Sequence, residues 1–113
     1  MNPQAILLHI DTSKTQEVRV TLNIGGKVSQ REVTHENTRA QEVLVLIEDL
    51  CGEQHIRVTD ITEITVAVGP GSFTGLRVGA SVANALGTLL DIPINGLPAG
   101  KAGKKALATP IYS

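Results

Sequence analysis

The sequence predicts an α/β fold, a mixed sheet of three antiparallel strands followed by strand–helix crossovers, with two main helices. Three observations predict it. Two strand-like segments flank Gly25-Gly26 near the start. Two later segments repeat apolar residues at helical spacing. Between those helices an apolar run, Ile64-Thr65-Val66-Ala67-Val68, leads into a glycine-rich turn.

Ala5 to Ile10 reads as a buried strand that ends in a turn at Asp11-Thr12-Ser13. Glu17-Val18-Arg19-Val20-Thr21-Leu22-Asn23-Ile24 alternates polar and apolar residues, the period of a strand with one wet face. Gly25-Gly26 suits a hairpin turn, because both residues tolerate positive φ. Lys27 to Thr34 returns as a third strand, polar enough to lie at an edge.

Thr38-Arg39-Ala40-Gln41 fits a capping box, in which Thr38 and Gln41 satisfy each other's backbone amides. The helix it opens, Thr38 to Cys51, places Ala40, Val43, Leu44, Ile47, Leu50 and Cys51 on one face and ends at Gly52. A fourth strand is expected at Ile64 to Val68, and a second helix from about Thr74 to Leu90. Asp91-Ile92-Pro93 stops that helix, and Ile94-Asn95-Gly96 is short enough for a fifth strand. This order of elements is the ribonuclease H-like layout, which is also half of an actin-like ATPase, with a five-stranded mixed sheet.

Size and composition narrow the classes. The 113 residues suit one small domain, and 42 % hydrophobic residues argue against disorder. Aromatics at 2 % require an aliphatic core. A net charge of −1 gives no global drive toward nucleic acid or anionic membrane. Lys101, Lys104 and Lys105 read as a solvated tail. Cys51 is the single cysteine, so no intrachain disulfide forms; it reads as a small core residue in a reducing cytosol. No apolar run is long enough to span a bilayer and the start lacks a signal peptide's basic region, so the expected location is cytoplasmic.

The second helix is more apolar than one sheet contact requires. Arg77, Ser81, Asn84 and Thr88 form one narrow polar stripe. Leu76, Ala80, Ala83 and Gly87 make one flank, and Val78, Val82, Ala85 and Leu89 the other. The Ala/Gly-rich flank lets another backbone come close, either the first helix or a partner. With Val45 on the polar side of the first helix, the expected interface residues are Val45, Leu76, Gly79, Ala80, Ala83 and Gly87.

Several chemistries fail on residue type. Gly69-Pro70-Gly71-Ser72 joins a strand to a helix N-terminus, a geometry able to hold an anion. It lacks the Gly-Lys-Ser/Thr ending of a Walker A loop and the glycine spacing of a Rossmann turn. A two-metal nuclease needs converging carboxylates; Asp11 stands at the first position, with Glu42, Glu48 or Asp49 on the first helix. The fourth strand ends in Val68-Gly69-Pro70 instead of an acid. His9, His35 and His55 have no metal-ligand spacing, and Ser72 has neither a nucleophile elbow nor a base.

Gly69-Pro70-Gly71-Ser72-Phe73-Thr74-Gly75-Leu76-Arg77 resembles the signature of the TsaB (YeaZ) family, glycoprotease-like members of the actin-like ATPase superfamily. Ile10-Asp11-Thr12-Ser13 resembles the family's Ile-Asp-Thr-Ser after its first strand, and the order of elements agrees from Ala5 to about Leu97. The resemblance implies a noncatalytic subunit that supports TsaD in making threonylcarbamoyladenosine in tRNA, with TsaE joining the complex. It implies a bundle of the two helices with a homologous lobe, from TsaD or from a second copy in a homodimer. With room for one lobe only, a nucleotide cleft would stay open, so no resident cofactor is expected, and the near-neutral charge gives no expectation of strong nucleic-acid binding. Asp11, Thr12 and Ser13 match the superfamily's first phosphate-binding turn and are the candidate contacts should ATP bind. Arg39-Ala40 stands where family members commonly carry His-Ser. The resemblance implies an N-terminal lobe over residues 1–97 and a tail over 98–113, with the family's usual second lobe expected to be absent. Two other readings compete: a small ATP- or metal-dependent ribonuclease H-like enzyme, and a self-assembling structural domain.

Overall fold

The alternation of apolar residues becomes a sheet with one dry face. The computed structural model describes residues 4–14, 16–34, 40–67 and 73–95. Strands β1 (Ile6–Asp11), β2 (Glu17–Ile24), β3 (Lys27–Thr34) and β4 (Glu63–Val66) stand in the order β3-β2-β1-β4. β1 pairs antiparallel with β2 and parallel with β4, while β2 pairs antiparallel with β3. Ile6, Leu8 and Ile10 of β1, Val18, Val20 and Leu22 of β2, and Ile64 and Val66 of β4 are buried on the same face. That shared parity follows from the register, which sets Leu8 opposite both Leu22 and Ile64.

β3 contributes no buried residue, as its polar sequence predicts for an edge strand. The hairpin before it turns through Gly25 (φ +56°) and Gly26 (φ +96°), the pair of positive angles that a two-residue type I′ turn demands. Asn23 Oδ1 accepts the Gly26 amide at 2.8 Å and closes the turn.

Helices α1 (Ala40–Glu53) and α2 (Phe73–Leu90) pack side by side on the dry face. Val43, Leu46, Ile47, Leu50 and Cys51 are the buried residues of α1. Leu44 was expected among them but is 38 % exposed, and Ala40 is exposed as well. The run Val43-Leu44-Val45-Leu46-Ile47 is apolar all round, so docking onto the sheet chooses Leu46 and turns Leu44 outward. Each aliphatic side chain fully buried here contributes about 1.5–3 kcal/mol.

The helix does not end at Gly52. It continues to Glu53 and stops at His55, which takes φ +58°. The Ile56 amide reaches the Cys51 carbonyl at 3.0 Å and the His55 amide reaches Gly52 at 3.1 Å, a Schellman closure. Ile56 drives it, because the closure lays this side chain against the core. α2 ends in the same way, with Asp91 at φ +56°, Ile92 bonded to Gly87 and Asp91 bonded to Thr88. The expected stop at Asp91-Ile92-Pro93 is where the chain leaves the helix.

The expected fifth strand is not formed among the described residues; the sheet has four. Ile94 makes a single parallel bridge to Ile64. The Ile64 amide bonds to the Pro93 carbonyl at 3.0 Å, and the Asn95 amide to Ile64 at 2.8 Å. The ladder then stops because Asn95 turns to φ +50°, and its side-chain Oδ1, not a backbone carbonyl, accepts the Val66 amide at 2.8 Å. β4 ends at Val66, short of the expected Val68; Thr38, expected as a cap, Val68, residues 69–72, Gly96 and the lysine-bearing end lie outside the described residues.

Candidate functional site

Asp11, Thr12 and Ser13 emerge at the carboxyl end of the central strand β1, next to the start of α2. That is where open α/β sheets place ligands, and the three side chains do come together there. They are, however, directed at one another and at the protein. Asp11 Oδ1 accepts the Ser13 amide at 2.9 Å and the Ser13 hydroxyl at 2.6 Å, an Asx turn. Thr12 is fully buried, and its hydroxyl donates to the Gly75 carbonyl oxygen at 2.5 Å. Two of the three candidate phosphate contacts, Thr12 and Ser13, therefore spend their hydroxyls on the turn itself and on α2.

The electrostatics of this corner follow from the register. Arg19 lies opposite Asp11 on β2 and Glu32 opposite Arg19 on β3. Arg19 bonds Glu32 at 2.7 Å and reaches Glu17 at 3.4 Å. Partial burial pushes the Asp11 carboxyl pKa up, but bonds from the Ser13 hydroxyl and amide, with attraction from His9 and Arg19, outweigh it and hold the group below its ordinary 3.8. The space between Asp11, Lys14, Glu17 and Arg19 measures about 10 Å³, the room of roughly one water. On the sheet face away from the helices, His9 Nδ1 and Thr65 Oγ1 share a hydrogen bond at 2.7 Å.

Of the glycine signature, Phe73, Thr74, Gly75 and Arg77 fall in the first turns of α2; Gly69, Pro70, Gly71 and Ser72 lie outside the described residues. Gly75 is buried and Arg77 is exposed. Thr12 reaches the Gly75 carbonyl in the first turn of α2, and one turn later a Cβ at Gly79 would collide with Thr12 Oγ1.

The expected interface residues separate into two groups. Leu76, Gly79, Ala80, Ala83 and Gly87 are all buried within the chain, which corrects their assignment to a partner-facing surface. Small residues are required there by the chain's own packing: a Cβ at Gly79 would meet Thr12 and Val66, and one at Gly87 would meet Ile94. Val45 is outside, 52 % exposed, and beside it stands Leu44, which the sequence reading had put in the core. Leu89 on α2 is 80 % exposed. Among the described residues no three His, Cys, Asp or Glu side chains gather as a metal site, and no helix is long and apolar enough to cross a membrane.

The family model of "TsaD: tRNA N6-adenosine threonylcarbamoyltransferase" matches residues 27–102. The chain is 31 % identical over 88 residues to "tRNA threonylcarbamoyladenosine biosynthesis protein TsaB" of Haemophilus influenzae, which covers 78 % of this chain and 37 % of that protein. It is 31 % identical over 91 residues to the protein of the same name from Escherichia coli, covering 80 % of this chain and 39 % of that one. The solved structure of YeaZ from Pseudomonas aeruginosa superposes with a TM-score of 0.74 at 29 % identity, covering 80 % of this chain and 42 % of that chain. The chain belongs to this threonylcarbamoyltransferase family, in its TsaB (YeaZ) branch. It spans about two fifths of the length of these TsaB and YeaZ relatives. The antiparallel β1–β3 unit, the two helices and the Asp11–Ser13 turn are thus the features of a TsaB-like chain in which the turn is tied to α2 through Thr12.

Proposed function

We propose that the chain is a noncatalytic partner subunit that supports a TsaD-type transferase in making threonylcarbamoyladenosine in tRNA. The observation that carries this reading is the apolar surface left on the helix layer, where Leu44 and Val45 stand exposed side by side on α1. Apolar surface left exposed by adjacent residues on a solvent-facing helix adds little to the core and gains more from being covered by a partner. The relatives' names supply the pathway, and the family model's name supplies the kind of partner. On this reading the helix layer packs against the transferase, a TsaE-type protein joins the complex, and without the transferase the chain pairs with a second copy. Asp11, Thr12 and Ser13 then serve the architecture, holding β1 to α2.

The test is co-purification of the chain with the TsaD-type protein of the same cell, together with the threonylcarbamoyladenosine content of tRNA when the chain is depleted. The wild-type chain retains the transferase and restores the modified nucleoside. Val45→Arg weakens the complex by about tenfold or more, the scale of losing one buried apolar anchor. A chain that neither binds the transferase nor alters the tRNA would defeat the reading.

A further inference from the structure

The parallel contact beside β4 stops at Asn95, which stands exposed at φ +50°. Its backbone amide donates to the Ile64 carbonyl at 2.8 Å, and its side-chain Oδ1 accepts the Val66 amide at 2.8 Å. β4 therefore holds both the main chain and the side chain of this residue. The side-chain nitrogen, Nδ2, makes no hydrogen bond among the described residues. Gly96 follows, and this is the one Asn-Gly pair in the sequence. Asn2, Asn23, Asn37 and Asn84 precede Pro3, Ile24, Thr38 and Ala85.

The Cγ of an asparagine is an electrophilic carbonyl carbon within five-membered-ring reach of the next residue's backbone nitrogen. Glycine at that next position leaves the nitrogen uncrowded, because no Cβ stands beside it. When the nitrogen attacks Cγ, negative charge develops on Oδ1. The Val66 amide already donates to that oxygen, at a distance typical of a preorganised oxyanion donor. The group that must leave is Nδ2, which no described residue holds, and the exposure of Asn95 lets water and base reach it.

We infer that Asn95–Gly96 is a self-modification site, at which the folded chain converts Asn95 to aspartyl and isoaspartyl forms with the Val66 amide as oxyanion donor. The Gly96 nitrogen gives its proton to solvent base and bonds to Asn95 Cγ. The Cγ–Nδ2 bond then breaks, ammonia leaves, and a succinimide remains. One water opens that ring: attack at Cγ gives aspartate, and attack at the Asn95 backbone carbonyl gives isoaspartate. Oδ1 stays a carbonyl or carboxylate oxygen throughout, so the bond from Val66 survives every step. In the isoaspartyl form the main chain runs through Cγ and Oδ1 becomes a peptide carbonyl. The Val66 amide then has a main-chain partner, which extends by one bond the ladder that now stops at Asn95. Either product places a new carboxylate at the β4 edge.

The full chain, incubated folded in mildly alkaline buffer and mapped by peptide mass spectrometry, tests this, with isoaspartyl residues counted by enzymatic carboxyl methylation. Conversion should gather at Asn95, speed up with pH, and run at least as fast as in the chain unfolded in urea. Gly96→Ala should slow it about tenfold or more by placing a Cβ beside the attacking nitrogen. The Val66 amide should keep its hydrogen-exchange protection in the converted chain, as it should in Asn95→Asp, which carries the product charge without the rearrangement. Conversion that is faster in urea than in the folded chain overturns the inference, because the fold then shields the site. Loss of Val66 protection on conversion overturns it as well, because the donor bond is then not the one that persists.

Discussion

The Thr12 hydroxyl donates to the Gly75 carbonyl oxygen across 2.5 Å, joining the end of β1 to the first turn of α2. Gly79, one turn on, leaves the space that this threonine fills. Thr12→Val keeps the shape and removes the donor, and is expected to cost about 1 kcal/mol in urea unfolding. Gly79→Ala should cost about 1–3 kcal/mol through overpacking. Thr12→Ala should recover part of that loss in the double variant, because it removes the atom that the new methyl meets. Strict additivity of the two changes would show that the close approach is not what constrains position 79.

Asp11 gives the fold an acid-sensitive element. Its carboxyl titrates below the ordinary 3.8 when folded, so the folded state prefers it ionised. That stability is fully present above 3.8 and is lost as pH falls below it through the folded-state value. Asp11→Asn should flatten the acid limb of the stability profile, read from urea midpoints between about pH 2.5 and 5. Cys51 acts at the other end. Burial, then Asp60 and Glu48, push its thiol up to about 11 from 9.0, so stability present below 9.0 declines as pH rises toward 11. Cys51→Ala should remove that alkaline decline.

Both helices close on a left-handed residue that is not glycine, His55 after α1 and Asp91 after α2. An L-residue in that conformation costs roughly 1–2 kcal/mol, partly offset by the extra freedom of glycine in the unfolded chain. His55→Gly and Asp91→Gly should each raise stability by about 0.5–1 kcal/mol by thermal or urea unfolding. A lower midpoint in either variant would mean that the native side chain makes a compensating contact.

Burial separates folding from association. Ala83 is fully buried, so Ala83→Glu should lower stability by about 3–5 kcal/mol and be visible as a loss of cooperative unfolding. Val45→Arg, at a position 52 % exposed, should shift the unfolding midpoint by less than about 0.5 kcal/mol while weakening the transferase complex. Equal effects on folding would remove the distinction between core and docking face.

The strands were legible because their signals are local. β2 and β3 follow from alternation and from a two-glycine hairpin, both of which act within a few residues. The Gly-Pro-Gly-Ser-Phe-Thr-Gly-Leu-Arg signature was legible as a run of specific residue types. The orientation of α1 was not, since five consecutive apolar residues offer more than one face to a sheet. The candidate phosphate turn was half legible: Asp11, Thr12 and Ser13 do converge, but only the packing of α2 directs the Thr12 hydroxyl to Gly75.

By itself the sequence determined the order of elements, the edge position of β3, the aliphatic core and the family resemblance, because periodicity and residue type are properties of a one-dimensional chain. Tertiary structure decided which apolar residues that chain keeps for itself. It turned Leu76, Gly79, Ala80, Ala83 and Gly87 inward and left Leu44 and Val45 outside. It ended the fifth strand at one bridge, where Asn95 turns left-handed and offers its side-chain oxygen. These choices depend on contacts between segments distant in sequence, where the close approach of a helix to a strand makes a missing Cβ matter.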